Sequence, residues 1–475
     1  TLDHIHIYSR NPAHRLLSMA LVALSIARLA SRRGLEKVAE RATSTPVQKL
    51  TFGGWFRRRG CTSGFRDSGG GGSRGYATFA MSCGNGDFGR LGHGGEGQGD
   101  AGLGLSSEAF RRVAGIPQGV DVRAVSAGGS HTALVGSDGH VYTCGLNEHS
   151  QLGHSPGTTY VPVAARVVGL PSNDPVVAVS AGHYHTLCVT RGGELWAFGR
   201  NDQSQCGLGK EAMGPVVHNP AWVQSLSPKG PGNAGRITGV AAGPRHSLAV
   251  TSEGAVYSWG VSKEGTLGHG AEEGWRWGYF FSDAVETTPR LVRGLADSGR
   301  RGVSVHAGMM HSACVDDAGM AHVWGQGRFN QLGLGADARA QYITEPASVP
   351  GTGCVSALSC GGNFTLALTR NGSILSWGAN QNGELGGGEE ADSATNTPRP
   401  VKRANDGDGG IGRFTKVSAG WKHSAAITSG GQLYTWGWGG SAGTHYDDAF
   451  SSGGQLGLNN DGDFWEPTLV GSLGG

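Results

Sequence analysis

The chain has 475 residues, 86 of them glycine, with 16% charged residues and a formal net charge of +2. Glycine this abundant, set periodically between apolar runs, excludes a disordered or collagen-like chain and points to many short strands joined by tight turns. The charge is unevenly placed: residues 1–76 hold 13 Lys/Arg against four Asp/Glu, leaving 26 basic and 33 acidic residues, net −7, in the remainder. That balance excludes a broad electrostatic grip on nucleic acid by the folded body, while leaving a local basic patch open.

From Met19 the sequence MALVALSIARLASRRGLEKVAERA sets apolar residues at helical spacing with Arg and Lys opposite, and Arg57-Arg58-Arg59 and a Ser/Gly-rich stretch follow. An amphipathic, Arg-rich, acid-poor segment of this kind has the composition of an organellar transit peptide. Arg74-Gly75-Tyr76-Ala77 resembles the Arg-x-Tyr site after which mitochondrial presequences are cut, which makes 1–76 a targeting segment and linker and 77–475 the folded domain. The expected address is the mitochondrial matrix, with the chloroplast as the alternative. No run of 18 or more apolar residues occurs, so no membrane span is expected. The eight cysteines form no C-x-x-C pair, and several stand in apolar strand slots as small buried hydrophobes.

From Ala77 onward one unit recurs. Its clearest copy, Val176–Gly209, reads as an apolar run, Ser-Ala-Gly, two variable residues, His, an apolar run, a Gly turn, an aromatic-ended run, Gly, a polar loop and Leu-Gly. Six complete copies follow a half copy at Ala77–Gly94. The His slot holds His131, His185, His246, His311, Phe364 and His423. The slot before Gly holds Cys83, Cys144, Phe198, Trp259, Trp324, Trp377 and Trp436. Each unit carries about four strand signals over roughly 50–65 residues, the size of a propeller blade.

The unit SAG-x-x-H-[ST]-x-[AC]-[LV]…G-x-[LV]-[YW]-x-[WF]-G-x-N-x-x-x-Q-L-G resembles the repeat of the RCC1 (regulator of chromosome condensation) family over about 400 residues. The resemblance implies an all-β, seven-bladed RCC1-type β-propeller closed by strands from both chain ends. The half copy then lacks its inner half, which is expected from a continuation after Gly475. A groove beside Ala77–Cys83 is therefore expected to stand open, with closure incomplete at the C-terminus.

The histidines are a tempting metal ring, but each belongs to a different blade, and ligands must converge within about 2.1 Å of one ion. They read instead as packing residues whose N–H satisfies a backbone carbonyl, and Trp259, Trp324, Trp377 and Trp436 as blade core. Light sensing is excluded: plant UV-B receptors repeat Gly-Trp-Arg-His-Thr in several blades, and this chain has one approximation, Gly420-Trp421-Lys422-His423-Ser424. No nucleophile, phosphate-loop or paired-carboxylate motif stands out, so no catalytic residue, cofactor or metal is expected and the chain is read as a non-enzyme.

Binding residues are sought in three insertions. The one at Ala271–Arg301 carries Trp275, Arg276, Trp277, Tyr279 and Phe280, the kind of cluster that makes interface hot spots, and the one at Gly439–Gly454 carries Asp447 and Asp448 for a basic partner. The expected function is a scaffold for protein partners, or for RNA through protein, in mitochondrial gene expression. Its partners would be organellar ribosome, intron-splicing or respiratory complex I assembly factors. The alternative is guanine-nucleotide exchange on a small GTPase, the activity the resemblance implies for the founding member.

Overall fold

The computed structural model describes residues 22–26, 78–94, 106–210, 214–228, 234–270, 284–335, 341–402, 412–440 and 453–471. They form six four-stranded antiparallel sheets, spanning 122–166, 176–222, 237–291, 302–348, 355–400 and 414–469, which we call blades I to VI. In each, the strands run in chain order from inner to outer. Blade II, for example, orders Val176–Ala181, His185–Thr190, Leu195–Arg200 and Val216–Trp222. Inner strands of successive blades lie beside one another, as packing around a common axis requires.

Among the described residues there are six complete blades, not seven. The remaining sheet has three strands: β1 (Val22–Ile26), β2 (Phe79–Gly84) and β3 (Ser107–Arg112), in that order. Here the expected open groove is corrected. β1 pairs antiparallel along β2, from Val22 opposite Cys83 to Ile26 opposite Phe79. Cys144 likewise stands opposite Thr132 in blade I, so β1 holds the position of a second strand. No strand among the described residues stands inside it.

Glycine makes the repeat possible at the end of each third strand. Gly199 pairs with His185 at φ +109°, and a Cβ there would stand 2.5 Å from the Tyr184 carbonyl oxygen. Only glycine accepts both that backbone region and that approach.

One carbonyl per blade junction then ties neighbours together. The Gln205 carbonyl in blade II accepts the Trp259 indole N–H at 2.9 Å and the Ser247 hydroxyl at 2.8 Å, both from blade III. The Thr266, Gln331 and Glu384 carbonyls accept the same two donors, Trp324 and Ser312, Trp377 and Thr365, and Trp436 and Ser424. These tryptophans are fully buried, so each indole fills the wedge between blades while its one polar atom is satisfied.

Each hydroxyl has its hydrogen committed to that carbonyl, so its oxygen accepts from the preceding blade's histidine. Nε2 of His131, His185, His246 and His311 lies 2.8–3.1 Å from Thr186, Ser247, Ser312 and Thr365. The histidine's partner is thus a hydroxyl that relays to a backbone carbonyl, rather than the carbonyl itself. His423 Nε2 is buried with no hydrogen-bond partner among the described residues.

Candidate interaction face

In a four-stranded blade, the turn between the first two strands and the loop after the third emerge at the same end. These loops of all blades therefore share one face of the propeller, around the mouth of the axis. The two variable residues of each Ser-Ala-Gly-x-x-His unit sit there. They are Gly129-Ser130, His183-Tyr184, Pro244-Arg245, Met309-Met310, Gly362-Asn363 and Trp421-Lys422. Tyr184, Met309, Met310, Trp421 and Lys422 are half-buried, and Arg245 is exposed. The opposite face is made of turns such as Arg191–Glu194 and Ser429–Gln432, which are small, polar and glycine-rich.

Two clusters organise this loop face. In the first, the His183 and Tyr184 rings lie 4.5 Å apart, and His149 meets Tyr184 edge-on at 5.0 Å. The Arg200 guanidinium stands 5.7 Å from the Tyr184 ring centroid and forms a bidentate pair with Asp202 at 2.8 and 2.6 Å. The His183 ring lies on Gly129, where a Cβ would stand 1.8 Å from its Cδ2. Burial, and then the charges of Arg200, Arg90 and Arg245, push the His183 imidazole down to about 4, so it is neutral at physiological pH. Arg90 is itself buried, its guanidinium donating to the Asp87 carbonyl at 2.9 Å, and burial lowers it to about 10.

The second cluster joins blades V and VI. The Lys422 ammonium stands 4.7 Å from the Trp421 ring and 5.2 Å from the Trp438 ring, and the two indoles meet edge-on at 6.0 Å. On the blade V side of this junction Glu384 Oε2 accepts the Asn382 backbone N–H at 2.8 Å. Between the clusters, Arg328 pairs with Glu264 at 3.1 Å beside Phe329, which is 43% exposed.

Trp275, Arg276, Trp277, Tyr279, Phe280, Asp447 and Asp448 lie outside the described residues. His131, His185, His246, His311 and His423 are buried in the blade junctions, with Trp259, Trp324, Trp377 and Trp436. Their imidazoles are pushed down by burial to about 3 or 4. Among the described residues no group of three His, Cys, Asp or Glu side chains could hold a metal ion. Sequence reasoning passed over the loop-face residues because it weighed the variable pair only as tryptophan positions. The signal was present: those are the positions where the repeat leaves side-chain identity free. It also passed over His93, His154 and His269, whose Nε2 atoms lie 2.8–3.0 Å from Ser82, Thr143 and Ser258 and clasp the loop after each third strand.

Blades of this pattern, joined through one shared carbonyl and presenting variable loops on one face, define a repeat-built β-propeller. The sequence profile of the RCC1-like domain matches residues 79–474, and the chain belongs to that family. It is 30% identical over 315 residues to the Ultraviolet-B receptor UVR8 of Arabidopsis thaliana, covering 66% of this chain and 64% of that protein. It is 32% identical over 270 residues to the mitochondrial RCC1 domain-containing protein RUG3 of the same plant, covering 56% and 54%. The match to the Secretion-regulating guanine nucleotide exchange factor of Bos taurus is 27% identical and covers 74% and 71%. The chain thus spans less than two thirds of several curated relatives, and only 6% of the E3 ubiquitin-protein ligase HERC2. Among solved structures, human WBSCR16 superposes with a TM-score of 0.65 at 22% identity, covering 82% of this chain and 93% of that one. Prp20p of Saccharomyces cerevisiae gives 0.66 at 21%, covering 82% and 85%.

Proposed function

We propose that this propeller is a scaffold that binds protein partners, and RNA through them, in mitochondrial gene expression, and that it does so with the loop face. The observation that carries the reading is the composition of that face. Tyr184, Arg245, Met309, Met310 and Trp421 ring the axis mouth, and Tyr, Met, Trp and Arg are the residue types enriched in interface cores. A face of this make-up fits organellar ribosome, intron-splicing or respiratory-complex assembly factors. The mitochondrial address is supported by the Arg-rich 1–76 segment and by the relative named as mitochondrial. The aromatic insertion at 275–280 and the acidic pair Asp447 and Asp448 would extend the binding surface.

The experiment has two parts. Residues 19–76 fused to a fluorescent reporter should direct it to mitochondria, and delivery to the nucleus would sink the reading. Affinity purification of the chain from mitochondria should then enrich ribosomal, splicing or assembly factors.

Guanine-nucleotide exchange is the second reading, favoured by the relative named as an exchange factor. It predicts that a small GTPase co-purifies and that the chain accelerates release of its labelled nucleotide.

A further inference from the structure

The acidic balance of the folded body leaves room for one local basic patch, and the face opposite the loops carries it. There the turn between the second and third strands of each blade meets the residue that starts the next blade's inner strand. At the II/III junction the Arg236 Cβ packs on Gly193, where an added Cβ would stand 2.8 Å away. At III/IV the Arg301 Cβ packs on Gly254 at 2.6 Å, and at V/VI the Arg413 Cβ on Gly372 at 2.7 Å. The IV/V junction has Cys354 in that slot. Arg370, from the blade V turn, lies there instead, its guanidinium 2.9 Å from the Cβ position of Gly319. Four successive junctions thus carry one arginine each, from two different slots of the repeat.

These four side chains are exposed. Arg413 donates to the Arg370 carbonyl at 2.9 Å, and Arg236 donates in the same way to the carbonyl of Arg191, a fifth exposed arginine. Each guanidinium has five N–H donors, so one bond to a carbonyl fixes the fork and leaves the rest for a ligand. None of the four enters an ion pair among the described residues, whereas Arg300, next to Arg301, pairs with Asp316 at 3.4 Å. Nearby carboxylates are engaged in the fold: Glu194 accepts the Trp222 indole N–H at 2.7 Å, and Asp174 the Gly192 N–H at 2.8 Å. Glu253 and Asp317 are exposed on the turns of blades III and IV.

We infer that this arginine arc binds the phosphate backbone of RNA directly. Guanidinium forks match phosphate oxygens, and cations repeated from blade to blade suit a linear polyanion better than a single anion. An acidic protein surface fits less well, because a protein interface needs apolar anchors at its core. The exposed large apolar side chains among the described residues, Val168, Val285, Phe329 and Leu469, all lie outside these turns. The inference concerns the face opposite the one proposed for protein partners, and it stands whether or not those partners are found.

The test is fluorescence anisotropy of the full chain with a labelled single-stranded RNA of mixed sequence, over a series of salt concentrations. The combined Arg236→Gln, Arg301→Gln, Arg370→Gln, Arg413→Gln protein should bind at least about tenfold more weakly, and its slope of log affinity against log salt should be shallower by about three, as loss of four single-strand phosphate contacts requires. Removing as many charges from the N-terminal segment, with Arg57→Gln, Arg58→Gln, Arg59→Gln and Arg66→Gln, should change affinity less. Glu253→Gln with Asp317→Asn should tighten binding, a gain that damage to the fold cannot imitate. RNA affinity unchanged in the arc variant, a larger loss from the N-terminal set, no gain from removing the two carboxylates, or displacement of the RNA by an oligoglutamate of equal charge would each overturn the inference.

Discussion

At the scale of single residues, the histidine slot shows how one repeat position takes different values at different junctions. His185 donates to Ser247 at 2.8 Å, whereas His423 Nε2 is buried with no hydrogen-bond partner among the described residues. Phe364 occupies the same slot without a polar atom and is equally buried. Replacing His185 by Phe removes one buried hydrogen bond along with an unpaired Nδ1 and should cost about 1 kcal/mol, while His423→Phe removes only an unpaired Nε2 and should cost nothing or stabilise. Urea unfolding of the two variants checks the contrast, and equal losses would contradict it. The pH dependence follows from the same residues. Five slot imidazoles are pushed down to about 3 or 4 from an ordinary 6.5. Below pH 6.5 they are protonated in the unfolded chain and not in the folded one, so stability falls as pH falls, at about 1.4 kcal/mol per pH unit for each proton. Glu384 acts with the opposite sign. Its raised carboxyl favours the fold at low pH and loses that advantage as pH rises from 4.5 to about 7. Five protons outweigh one, so the melting temperature should drop steeply between pH 6.5 and 4.5. Glu384→Gln should raise it at pH 8 more than at pH 5.

At the scale of elements, the strand pattern was legible because its markers are chemical necessities. The glycine after the third strand, the small Ser-Ala-Gly inner turn and the large residue before Gly each answer a steric demand that any copy must meet. What was not legible was the occupant of the second position in the three-stranded sheet. The Val22–Ile26 segment carries no Ser-Ala-Gly or His signal, and its helical spacing masked a strand that backbone hydrogen bonding alone places against β2. Cleavage after Tyr76 would remove this strand and leave the Phe79–Gly84 edge without it. An unpaired edge exchanges its amides quickly and invites association. Hydrogen exchange read by mass spectrometry should therefore show Phe79–Gly84 exchanging much faster in a protein that starts at Ala77 than in the full chain. The third strands of blades I to VI should be unchanged. Equal protection of Phe79–Gly84 in both proteins would mean that another segment pairs there.

At the scale of the whole molecule, the two faces of the propeller differ in what the repeat demands of them. The turns on one face are bound to glycine and polar residues by tight geometry, so they repeat nearly unchanged around the ring. The loop face is where the pattern fixes the backbone and frees the side chains, and there the chain places Tyr184, Arg245, Met309, Met310 and Trp421. These side chains are not needed to close a blade, since blades I and V have Gly129 and Gly362 at the position of Met309 and Trp421, and Ser130 and Asn363 at that of Tyr184, Arg245 and Met310. A combined Tyr184→Ala, Met310→Ala, Trp421→Ala protein should thus melt within a few degrees of wild type but lose most of its captured partners in affinity purification. A matched set on the other face, Glu253→Ala, Asp317→Ala and Gln432→Ala, should keep them. Capture that survives the first set, or fails with the second, would place the binding surface elsewhere on the ring.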